Sequence, residues 1–273
     1  MTSPFMHRLM ETVQFIKNIY PHQPRIGIVL GSGLGNLTKE IKIEKEILYK
    51  DIPHFSLSTV KGHNGKLLFG ELCGKKIIVM AGRFHFYEGY TPQQVSYPVR
   101  VMKMLGVQTL FLSNAAGGVN RNFKVGDLML IKDHISLFTI NPLIGKNEDE
   151  LGKRFPDMSE PYSKKLIAKA KMIDKKLKYN LKEGIYVGVT GPTFETPAEY
   201  KMIKAIGGDA VGMSTVQETI VAVHAGMNVF AVSVITDIGL TATKITHEEV
   251  LAAAKKAEPK LTNLFKEMIA VIE

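Results

Sequence analysis

Hydrophobic and polar positions alternate along this chain with two different periods. Six apolar, β-branched runs predict buried or half-buried strands that end in small or polar residues: RIGIVLG (25–31), KKIIVMAG (75–82), TLFLSNAAGG (109–118), DLMLIKDHISL (127–137), GIYVGVTG (184–191) and NVFAVSVITD (228–237). Between them, helical signals recur. Thr91-Pro92-Gln93-Gln94 and Thr196-Pro197-Ala198-Glu199 each supply a capping threonine, a proline at the first helical position and Gln or Glu at the third. Thr246-His247-Glu248-Glu249 repeats the capping box before the last helix, which Pro259 is expected to kink or divide. Leu166, Ala170, Ile173 and Leu177 recur at helical spacing, so the lysines from Lys164 to Lys178 read as the solvated face of an amphipathic helix. The order of strands and helices predicts a single α/β domain over 1–273, with a mixed, mainly parallel sheet flanked by helices on both faces. The longest irregular region, 139–161, is long enough to be functional.

IVLGSGLGNL (28–37) looks like a nucleotide loop but lacks the right glycine spacing. Gly31, Gly33 and Gly35 give G-x-G-x-G, where a dinucleotide fold uses G-x-G-x-x-G. Two readings stay open: a tight turn after a buried strand, or a cradle of backbone N–H groups and the Ser32 hydroxyl for a small anion.

Composition narrows the classes. With 273 residues, 45% hydrophobic and 22% charged, the chain can bury a substantial core. A lone Cys73 allows no internal disulfide, and with no charged-then-apolar leader it argues for the cytoplasm. No apolar stretch reaches the roughly 18 residues of a membrane span, so no membrane partner is expected. The net charge of +9 suits an anionic substrate, but no aromatic-and-basic RNA motif accompanies it, so no nucleic acid is expected either. The eight histidines are scattered without H-x-x-x-H spacing, and no metal or cofactor is expected.

In open α/β sheets ligands collect where strands end. The strand-terminal residues here are Ser32, Arg83 and His85, Asn114 to Ala116, Glu195, Met213 and Ser214, and Thr236 and Asp237. Each has an ordinary structural explanation. Ser214, with Gln217 three residues on, could simply cap the helix that follows. Together, a guanidinium, an imidazole, hydroxyls and a helix amino terminus form the donor set that a phosphate dianion requires.

These motifs also carry a resemblance. GSGLG, GRFHFYEGY, SNAAGGVN, GPTFETPAEY and DAVGMSTVQETIVA resemble, in order, the motifs of the purine nucleoside phosphorylases of the smaller-subunit, trimeric class, over about Arg25 to His247. The resemblance implies a nucleoside phosphorylase-like fold and an enzyme that transfers a pentosyl group between purine and inorganic phosphate, its co-substrate. By that resemblance Ser32, His63, Arg83, His85, the backbone of Ala115 and Ser214 hold phosphate. Tyr87, Met213 and His247 meet the ribose, and Phe194, Glu195, Val211 and Asp237 meet the purine. Phe155 matches an aromatic donated to the neighbouring subunit's site in a homotrimer; the alternative is a local packing residue.

Two competing functions are a methylthioadenosine phosphorylase and a non-catalytic nucleoside- or nucleic-acid-binding protein. His247 and Glu195 speak against the first, and the intact donor set against the second. One position departs from the family pattern. Asp237 stands where enzymes for 6-oxopurines usually carry asparagine, and an ionised carboxylate accepts hydrogen bonds but cannot donate one to O6. Either burial protonates Asp237 and inosine and guanosine are retained, or it stays ionised and adenosine is admitted; a third reading turns it away to pair with Lys244. The expected outcome is 6-oxopurine activity with measurable adenosine turnover.

Overall fold

The apolar runs become the middle of one mixed nine-stranded sheet in a computed structural model that describes residues 3–57, 65–239 and 246–272. In chain order the elements are α1 (Pro4–Ile19), β1 (Ile26–Val29), β2 (Lys42–Leu48), β3 (Lys66–Leu72), β4 (Lys75–Ala81), α2 (Pro92–Met104), β5 (Thr109–Gly118), β6 (Leu128–Ile135), α3 (Lys164–Leu177), β7 (Lys182–Gly188), α4 (Pro197–Ala205), β8 (Ala210–Gly212), α5 (Val216–His224), β9 (Asn228–Ile238) and α6 (His247–Val271). All six predicted strands are present. β2, β3, β8 and α1 are additions that the pattern did not announce. β2 reads KIEKEIL and keeps only Ile47 buried, so no apolar alternation marks it. Its charged face suits a sheet edge.

β1 pairs in parallel with both β4 and β5, and β5 with β9, so four strands run the same way, β5 and β9 continuing past the ends of β1 and β4. β2, β3 and β4 form an antiparallel meander on one flank. On the other flank the pairings close a ring: β5 to β9, β9 to β6, β6 to β7, β7 to β8, and β8 back to the end of β5 at Gly117 and Gly118. β9 is buried at every residue from Val229 to Thr236, as expected of a strand covered on both faces. α5 and α6 both pack on it, α2 lies on α5 and α1, and α3 lies on α6.

The capping boxes at Thr91, Thr196 and Thr246 form as predicted. Pro259 does not divide the last helix: α6 is continuous across it. A proline inside a helix costs about 3 kcal/mol. The buried stripe of Ala257, Leu261, Leu264, Phe265 and Met268 continues on both sides of the proline and outweighs that cost. The segment 139–161 is irregular apart from one short turn at Asp149–Leu151. No described helix is long and apolar enough to cross a membrane.

Candidate active site

The carboxyl ends of the parallel strands border a cleft. Ser32, Arg83, His85, Tyr87, Ala115, Phe194, Glu195, Val211, Met213, Ser214, Asp237 and His247, gathered from across the sequence, all line it. His63 and Lys244 lie outside the described residues. Phe155 lines a separate surface hollow with Arg154, Ile144 and Met158 and is 86% exposed, with the Arg154 guanidinium 5.6 Å from its ring centroid.

One polar cluster surrounds Arg83, a guanidinium that is 1% exposed. Its Nε donates to Glu218 Oε1 at 3.0 Å and its Nη1 donates to the Ser113 carbonyl. His85 Nδ1 faces Glu88 Oε1 at 3.0 Å, and the same oxygen accepts the His85 backbone N–H at 2.8 Å. Tyr87 stacks on the His85 ring at 4.7 Å and 15°, which fixes the imidazole from its face. Burial pushes the Tyr87 hydroxyl up to about 12, so it is a neutral donor at physiological pH.

Ser214 reaches the cleft because it is not the cap. The cap of α5 is Thr215, one residue later than the sequence suggests, with its N–H donated to Glu218 Oε2 at 2.9 Å. Thr215 has φ 73° and ψ −45°, and the Val216 N–H closes on the Ser214 carbonyl at 2.8 Å, making a γ-turn. A non-glycine residue held there costs of order 1–3 kcal/mol and persists only where its surroundings enforce it. Those surroundings are Glu218, Asn114, whose Nδ2 donates to Thr215 Oγ1 at 2.8 Å, and the Tyr186 hydroxyl, which accepts the Ser214 N–H at 3.4 Å. The sequence pointed to the pair Ser214/Gln217; the fold uses the overlapping pair Thr215/Glu218 instead.

A second cluster lies at Glu195, Tyr200 and Asp237. Burial raises both carboxyls above the usual carboxylate range. For Asp237 this is opposed by hydrogen bonds from Thr236 Oγ1 at 3.2 Å and the Tyr200 hydroxyl at 3.5 Å. Tyr200 was missed in the sequence. It lies in the first turn of α4, where side chains lean back toward the helix start, and this hangs its hydroxyl over the loop that carries Glu195. Space for it is made by two glycines. A β-carbon at Gly239 would strike the Tyr200 ring, and one at Gly117 would sit 3.1 Å from both the Tyr200 hydroxyl and Asp237 Oδ1.

The glycine loop serves packing before binding. A β-carbon at Gly31 would come within 2.7 Å of the Ser113 carbonyl, and the Gly31 N–H is donated to Ser113 Oγ. Gly33 has φ 73° and lies against Ala254 of α6. Asn36 donates through both its backbone N–H and its side-chain amide to the buried Glu258 of α6. The loop is therefore clamped between β5 and α6, with Ser32 facing the cleft. Among the described residues no group of three or more His, Cys, Asp or Glu side chains could hold a metal ion.

Comparison with known proteins agrees with this geometry. The model of the phosphorylase superfamily matches residues 25–270. Purine nucleoside phosphorylase 1 of Geobacillus stearothermophilus is 51% identical over 261 residues, 95% of each chain. Isoform 2 of the Schistosoma mansoni enzyme, solved with cytosine and ribose-1-phosphate, superposes with TM-score 0.94 at 43% identity, covering 98% of this chain and 97% of that one. Purine nucleoside phosphorylase of the same organism, solved with adenosine and with inosine, gives TM-score 0.93 at 40% identity over 98% of this chain and 98% and 97% of those chains. The chain belongs to the phosphorylase superfamily, and its near full-length relatives within it are purine nucleoside phosphorylases.

Proposed function

We propose that the chain catalyses reversible phosphorolysis of purine ribo- and deoxyribonucleosides, giving free base and pentose 1-phosphate, with inosine and guanosine as principal substrates and inorganic phosphate as co-substrate. The observation that supports this is the sharing of one cleft by two unlike polar clusters, anion donors around Arg83 and half-buried carboxyls at Glu195 and Asp237. No covalent nucleophile is required. Phosphate attacks the anomeric carbon as the C–N bond breaks, and the sugar passes through an oxocarbenium-like state that the adjacent dianion stabilises.

Arg83, Ser32, Ser214 and the Ala115 backbone are assigned to the phosphate, with His63 matching the family's pattern. With His85 Nδ1 directed at Glu88, Nε2 is the nitrogen with which His85 can meet a phosphate oxygen. Met213 and Tyr87 cover the ribose and His247 its 5′ end. Phe194 and Val211 bracket the base. Glu195 accepts from N1–H, which hypoxanthine and guanine possess and adenine lacks. Asp237 holds the N7 proton of the departing base, and when itself protonated it donates to O6. A methylthioadenosine enzyme fits less well, because its 6-amino purine offers Glu195 no N1–H.

The same reading makes the chain a cytoplasmic homotrimer. Leu137 (79% exposed), Ile144 (64%) and Phe155 (86%) leave apolar surface uncovered on one segment, and the aromatic at 155 is assigned to a neighbouring subunit's cleft. The test is base release from inosine by purified protein with and without phosphate. Release only with phosphate supports the proposal. Release only from methylthioadenosine would reassign the substrate, and release from neither would leave a binding protein.

A further inference from the structure

We propose that Glu218 is a positioning residue for the phosphate end of the cleft, setting Arg83 and the turn that bears Ser214 with one carboxylate. This rests on the phosphorolytic reading above. Glu218 itself does not line the cleft; it lies behind it, 2% exposed, in the first turn of α5. Its two oxygens have different partners. Oε1 accepts Arg83 Nε at 3.0 Å, and Oε2 accepts the Thr215 N–H at 2.9 Å. Arg83 comes from the loop after β4 and Thr215 from the loop after β8, so a single side chain ties together two donors that the sequence separates widely.

Burial argues that this pair is kept for more than stability. Arg83 and Glu218 are 1% and 3% exposed along their side chains, and a buried ion pair gives back about what desolvation removes. What the pair supplies is orientation. With Nε held by Glu218 and Nη1 by the Ser113 carbonyl, the guanidinium plane is fixed in the wall of the cleft. The second oxygen supports the γ-turn at Thr215, which presents Ser214 to the same ligand. A glutamine of the same shape cannot do both, because its amide has one acceptor and would set an N–H against one of two N–H donors.

The test is steady-state kinetics of Glu218→Gln with phosphate and inosine varied separately. The expected result is a rise of about tenfold or more in the KM for phosphate, with the KM for inosine within about twofold of wild type. An unchanged phosphate KM, or an equal rise in both constants, overturns the inference, since the latter is what general loosening produces. The same substitution is then made in an Arg83→Gln background; the double variant carries neither charge of the buried pair, whereas Arg83→Gln alone leaves the Glu218 carboxylate without its guanidinium. There Glu218→Gln should raise the phosphate KM by less than about threefold, the remainder acting through the Thr215 turn. A full tenfold further loss in that background overturns the inference, and this comparison decides the matter even if the single variant fails to fold. If wild-type protein releases no base on addition of phosphate, the underlying functional reading has failed instead.

Discussion

Asp237 and Glu195 are two acids set into the wall of one cleft, and burial raises both in the folded protein. A carboxyl raised on folding contributes most below its unfolded pKa, and that contribution is lost as the pH climbs through the folded value. At neutral pH an ionised Asp237 therefore costs stability, and Asp237→Asn should melt higher than wild type at pH 7. The advantage should shrink toward about pH 4, the ordinary carboxylate range; thermal melts at the two pH values check this, and a larger gain in acid would refute it. The same substitution supplies a permanent donor for O6. The ratio of kcat/KM for inosine to that for adenosine should rise about tenfold, equivalent to roughly 1.4 kcal/mol. Tyr200→Phe removes a donor that favours the ionised form of Asp237, so it should move the ratio the same way by less. An unchanged ratio in both variants would mean that Asp237 does not read position 6. At the other end of the cleft, Arg83→Ala should raise the KM for phosphate by roughly 10- to 150-fold, the loss of a charged hydrogen bond. Ser32→Ala, which removes a neutral donor, should cost only about two- to tenfold. Equal losses in the two would place the phosphate elsewhere.

Elements meet at Gly31, where β1 gives way to the loop and passes so close to β5 that a β-carbon would strike the Ser113 carbonyl and the Asn114 α-carbon. Backbone atoms on the receiving side cannot swing aside as a side chain can. Gly31→Ala should therefore destabilise the protein by about 1–3 kcal/mol, the usual cost of overpacking. In a chain of this size that lowers the melting temperature by roughly 2–12 °C. Because Ser113 and Asn114 also contact Arg83 and Thr215, the phosphate KM should rise with it. A variant that melts like wild type would show that the strands can part there. The capped helices were legible element by element because their signals are local: a threonine, a proline and an acid or amide within four residues. β2, with its charged face, and the three-residue β8 carried no such signal. Their pairing with β3, β5 and β7 is decided by long-range contacts.

For the whole molecule, the exposed phenyl ring at 155 makes a prediction about assembly. Sedimentation should give a trimer, and Phe155→Ala should reduce kcat/KM for inosine by at least about tenfold, the loss of a buried aromatic contact. Mixing Phe155→Ala with Arg83→Ala protein, then dissociating and reassembling the chains, should restore activity above the mean of the two. Some interfaces would then combine an intact Arg83 with an intact Phe155. No recovery, or a fully active monomer, would exclude a shared site. The six principal strands and the capped helices were legible in the sequence because strand periodicity and capping are properties of short stretches; donor type at strand ends suggested a phosphate site, and the resemblance to purine nucleoside phosphorylases supplied the purine set. It also marked Asp237 as the unusual side chain. Packing between distant segments settled which groups share a wall: that Thr215 and not Ser214 caps α5, that Glu218 joins Arg83 to that turn, that Tyr200 bends back over Asp237 into space left by Gly117 and Gly239, and that α6 runs unbroken through Pro259. Each of these depends on contacts between segments far apart in the chain, where packing chooses among local alternatives of nearly equal energy.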